Sequence, residues 1–77
     1  MQLITISRSA VLKRLDRYMR RVDGEQLHTS RNETTLQEFG RHYTTDLHGG
    51  YVCAKYVEPE TWARELGILR SYETVAR

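Results

Sequence analysis

The sequence predicts an α+β domain: a small antiparallel sheet with a central β-hairpin, packed against an amino-terminal basic amphipathic helix and a short second helix. Two features of the chain carry that expectation. Apolar residues recur at helical spacing from Val11 to Val22, and two stretches rich in β-branched and aromatic residues flank the pair Gly49 and Gly50. Size is a third. At 77 residues the chain has room for one domain, 1–77, with a thin core, because a chain this short buries only about 60% of the surface its unfolded form exposes. A winged-helix arrangement, which also joins helices to a hairpin, is the alternative.

Residues 2–6 are apolar and β-branched and read as a first strand. Ser7 or Ser9 then offers a side-chain oxygen to cap a helix. Val11, Leu12, Leu15, Tyr18, Met19 and Val22 form one stripe of a 3.6-residue period, and Gly24 supplies the left-handed residue that commonly closes a helix. Residues 25–34 are polar and aperiodic, which reads as an exposed connection. In residues 35–39, Thr35 with Glu38 makes a capping box, whereas the alternation of Leu36 and Gln37 suits a strand; the balance favours the strand.

Residues 42–47 and 51–57 read as the two strands of the hairpin, with glycines between them for a tight turn. Alternation along the second strand puts Tyr51, Cys53, Lys55 and Val57 on an outer face, and Val52, Ala54 and Tyr56 on the core face. Pro59, with Glu58 before it and Glu60 after it, suits the first turn of a second helix over 59–66 that Gly67 ends. Residues 68–75 fit a final strand, a short helix or a tail.

At 39% hydrophobic and 29% charged residues the chain is too apolar to be disordered. The single cysteine, Cys53, cannot form an internal disulfide, the opening residues lack a signal-peptide pattern, and no apolar run reaches transmembrane length. The expectation is a cytoplasmic protein with no membrane partner. Neither metal nor cofactor is expected: His42, His48 and Cys53 lack the ligand spacing of zinc sites, even with His28 or Asp46 added. Cys53 lies between Val52 and Ala54, where it reads as a packed small hydrophobe and not as a nucleophile, so the protein is not expected to be an enzyme.

A net charge of +2 is too small to argue for any partner, so the distribution of charge decides. Arg8, Lys13, Arg14, Arg17, Arg20 and Arg21 belong to the first helix with Asp16 as their one acid, and they make a positive ridge opposite the apolar stripe. Phosphate backbones bind such a ridge by releasing counterions, and an acidic protein surface is drawn to it by the same field. The expected contact set is Lys13, Arg14, Arg17, Arg20 and Arg21, joined by Tyr51 and Lys55 from the hairpin. Trp62 and Tyr72 are candidates for a partner contact or a homodimer. The function that follows is a small, non-catalytic regulatory protein that binds nucleic acid. The alternative is an inhibitor or adaptor of the kind that phages and mobile elements encode, docked on an acidic surface of a larger host complex.

The segment WARELGI, from Trp62 to Ile68, resembles the helix-turn-helix motif through Ala63, Leu66, Gly67 and Ile68. The resemblance implies a second helix after Gly67 that enters a DNA groove. Val75, the next apolar anchor, falls beyond the spacing that the motif sets.

Overall fold

The computed structural model describes residues 2–76, in the order β1 (Ile4–Ile6), α1 (Arg8–Val22), β2 (Glu25–Thr29), α2 (Glu33–Phe39), β3 (His42–Asp46), β4 (Val52–Ala54), α3 (Pro59–Glu65) and β5 (Glu73–Val75). It is an α+β architecture in which β2, β3 and β4 form an antiparallel sheet while β1 and β5 form a separate parallel pair. The expected hairpin is β3–β4, and its turn is fastened by Asp46. The Asp46 carboxylate accepts from the backbone N–H groups of His48 and Gly49, and its backbone exchanges bonds with Gly50 and Tyr51.

α1 begins where Ser7 accepts a hydrogen bond from the Ala10 N–H at 3.1 Å, and it closes at Asp23 ahead of Gly24, whose φ is +66°. Its apolar stripe is the centre of the molecule. Val11 packs with Ala63 and Leu69, and Leu15 and Met19 pack with Val57, Leu27, Ala54 and Trp62, while Ile68 touches both groups. Leu15 is 0% exposed, so burying it and its neighbours contributes roughly 1.5–3 kcal/mol for each large side chain. α1 also covers the outer edge of β2, where the Asp16 carboxylate accepts the Leu27 N–H at 2.9 Å.

Residues 25–34 are not an exposed connection, because residues 25–29 form β2. This strand has one large apolar residue, Leu27, so hydrophobic alternation does not mark it. Cross-strand side-chain bonds hold it instead: Thr44 donates to Glu25 at 2.8 Å, and Thr29 and His42 lie 3.1 Å apart. Nor is 35–39 a strand. Asn32, three residues ahead of Thr35, accepts the Thr35 N–H at 2.9 Å and starts α2.

Face alternation in the second hairpin strand holds through Lys55 and then breaks. Tyr51, Cys53 and Lys55 are exposed and Val52 and Ala54 half-buried, but Tyr56 is 60% exposed and Val57 is 3% exposed. Tyr56 adopts φ +54°, which turns the chain and sends Val57 into the core. Its ring lies against buried Gly40, where a Cβ would come within 2.5 Å of Tyr56 Cδ1, and its hydroxyl donates to the Gln37 carbonyl at 2.7 Å.

α3 spans Pro59 to Glu65 and ends before Gly67, as the Pro–Gly spacing predicts. The helix-turn-helix expectation fails there. The Ile68 and Leu69 N–H groups both turn back to the Ala63 carbonyl, and the chain then extends into β5, so a strand occupies the place of a recognition helix. The winged-helix alternative fails for another reason: between α1 and the β3–β4 hairpin lie strand β2 and the seven-residue α2, with no recognition helix leading into the wing. Val75 faces Ile6 across the parallel pair, and both pack beside Val11.

Candidate nucleic-acid interface

The apolar stripe of α1 faces the sheet and α3, so its opposite side faces solvent. Lys13, Arg17 and Arg21 lie on that side, exposed, and they follow one another at four-residue steps, about 6 Å apart along the axis. Among the described residues, none of the three pairs with a carboxylate. Arg14 and Arg20 flank this row and are already engaged. Arg20 Nε is 2.9 Å from Asp16 Oδ2, one turn back on the same helix. Arg14 reaches Glu73 of β5 with one nitrogen, at 3.2 and 3.1 Å from the two carboxylate oxygens.

Glu73 is the hub of a network that sequence reasoning missed. It is 7% exposed, accepts the Arg70 N–H at 2.8 Å, and offers its own carbonyl to Arg64 at 2.9 Å. The Arg70 N–H bond, aided by the Arg14 guanidinium, holds its carboxyl below the usual glutamate range against the opposing pull of desolvation. Arg14 therefore ties α1 to β5, and its share of the positive field is largely spent within the molecule.

Arg8 departs from the ridge. It precedes Val11 and Leu12 by three and four residues, so it shares the apolar side of α1. There it lines a cavity of about 430 Å³ whose rim sets Arg8 and Arg41 against Glu58 and Glu60. Opposed charges at this rim leave it without the single sign of the α1 row. His42 also lines the cavity, and burial, aided by Arg41, pushes its pKa down.

The two hairpin residues do not join the α1 row. Tyr51 is exposed at the end of the hairpin, beside Gly49. The Lys55 ammonium sits 5.6 Å from the centre of the Phe39 ring, and Phe39 adjoins Tyr43. Tyr43 is the cross-strand neighbour of His28, and strand alternation sets that pair on the sheet face opposite Leu27 and α1. Trp62 is half-buried against Leu15, Met19 and Val57, while Tyr72 keeps an exposed ring and accepts the Ile4 N–H with its carbonyl.

Histidine and cysteine chemistry is dispersed. Among the described residues, no three His, Cys, Asp or Glu side chains converge as metal ligands. His28 Nε2 bonds Thr45 at 2.7 Å, and Asp46 serves the hairpin turn. Cys53 is exposed on the outer face that strand alternation gives it, and not packed as a small hydrophobe, and desolvation with the nearby Glu25 and Asp46 charges pushes its thiol pKa up. Such surroundings work against a thiolate nucleophile. Among the described residues no helix is long and apolar enough to cross a membrane.

Compared with known proteins, the chain matches no family model, no curated sequence and no solved structure. A functional reading therefore rests on the geometry alone.

Proposed function

We propose that this protein binds nucleic acid without catalysis, through the solvent side of α1. The carrying observation is the row Lys13, Arg17 and Arg21: three exposed cations on one rigid helix, at regular spacing, with no carboxylate partner among the described residues. The helix fixes the spacing of the row before binding, and arginine grips phosphate with two parallel N–H bonds. Arg20 and Arg14 stand beside the row, with side chains 45% and 39% exposed, but each is tethered to a carboxylate and adds little to its field.

The test is a titration of labelled duplex DNA or RNA at several salt concentrations. Three phosphate contacts would give a slope of log K against log salt of about −2.7, from about −0.9 per contact on a duplex. Arg17→Glu with Arg21→Glu should abolish the binding and flatten the slope. No retention of the unaltered protein on nucleic acid at low salt would overturn the proposal. A complex with an acidic protein that survives nuclease and is lost in the same double variant would replace it with the adaptor reading.

A further inference from the structure

We propose that the sheet face turned away from α1 is a second site, a seat for the bases of single-stranded nucleic acid. Three observations place it there. The rings of His28 and Tyr43 are stacked across β2 and β3, with centres 5.0 Å apart and planes inclined by 18°. Phe39, at the end of α2, adjoins Tyr43 at 5.1 Å and carries the Lys55 ammonium over its ring. Beside these rings opens a groove of about 470 Å³, lined among others by Gln26, His28, Arg31, Asn32, Thr35 and Tyr43.

The chemistry of that groove fits an unpaired nucleotide. Every base has a π-face that can extend the His28–Tyr43 stack, and that stack is pre-set, since Thr45 fixes His28 through Nε2 at 2.7 Å. The Gln26 amide can exchange hydrogen bonds with a base edge, and Asn32, whose oxygen caps α2, keeps its NH2 to donate. Arg31 is exposed, pairs with no carboxylate among the described residues, and lines the same groove, so its guanidinium is free to pair with the phosphate of a nucleotide seated there. Lys55 adds a second cation beyond Phe39. Paired bases are closed off inside a duplex, so this groove selects single strands, whereas the α1 row attracts any phosphate backbone.

The experiment compares a fluorescein-labelled single strand, oligo(dT) or oligo(U) of about ten nucleotides, with a duplex of equal length, by anisotropy at low salt. Tyr43→Leu should weaken the single strand by about 5- to 150-fold, the loss expected for one stacked base, and leave the duplex unchanged. Arg31→Ala, on the surface and safe for folding, should reduce the salt slope for the single strand by about 0.7. It decides the matter if Tyr43→Leu fails to fold by circular dichroism. The proposal is overturned if the unaltered protein does not hold the single strand, if Arg31→Ala and a folded Tyr43→Leu both bind it normally, or if Tyr43→Leu weakens the duplex equally. The α1 reading is judged separately: duplex binding that persists in Arg17→Glu with Arg21→Glu removes that reading, and a single-strand loss in Tyr43→Leu upholds this one.

Discussion

At the scale of single residues, Glu73 does the most to shape the molecule's response to its surroundings. Its carboxyl is held below the ordinary glutamate range by the Arg70 N–H and by Arg14. A carboxyl depressed by folding adds stability that is present above its unfolded pKa, about 4.3, and lost as pH falls through its lower folded pKa. Acidification through that window should therefore lower the melting temperature, and Glu73→Gln should both melt lower at neutral pH and lose part of the acid-side decline. A melting series from pH 7 to 3 checks it; an unchanged decline in the variant would assign acid sensitivity to other groups. His42 adds to the slope in the same direction at higher pH, because its depressed pKa favours the neutral ring in the folded state. As pH falls below its usual 6.5, that contribution is lost.

At the scale of elements, the chain shows where sequence patterns speak and where they are silent. α1 is legible because its six apolar positions repeat with the helix, and Ser7 and Gly24 mark its ends. β2 is silent because the side chains that hold it in place, His42, Tyr43, Thr44 and Thr45, lie thirteen to nineteen residues ahead. The cations of α1 could be named from sequence, but not which of them are engaged: the partner of Arg14 is fifty-nine residues away. The aromatic face was out of reach for a similar reason, since it needs β2 and α2, both misassigned, to bring His28 and Phe39 beside Tyr43. α2 itself hangs on one side chain. It is seven residues long, buries no residue fully, and is too short to persist without its Asn32 cap. Asn32→Ala should cost about 1 kcal/mol, seen as a lower urea midpoint with an unchanged slope. A neutral result would mean that Phe39 and Gly40, not the cap, secure the helix.

At the scale of the whole molecule, one helix serves two ends. The inner side of α1 is the spine of the core, and its outer side carries the exposed cation row, so the positions of Lys13, Arg17 and Arg21 are only as rigid as the seat of Leu15 and Met19 beneath them. Ile68 touches both apolar clusters, which joins them into one unit. Cooperative loss follows. Leu15→Ala should remove roughly 2–5 kcal/mol from a domain whose whole stability lies in the range of about 5–15 kcal/mol. At about 4–8 °C for each kcal/mol in a domain of this size, the melting temperature should fall by about 8 °C or more. Trp62 sits in the same cluster, so its fluorescence reports the core while circular dichroism reports the backbone. Two coincident urea transitions, both shifted by Leu15→Ala, are the expected result. If the tryptophan transition moves and the backbone transition does not, the clusters unfold apart, and α1 can keep its cation row in a molecule whose core has opened.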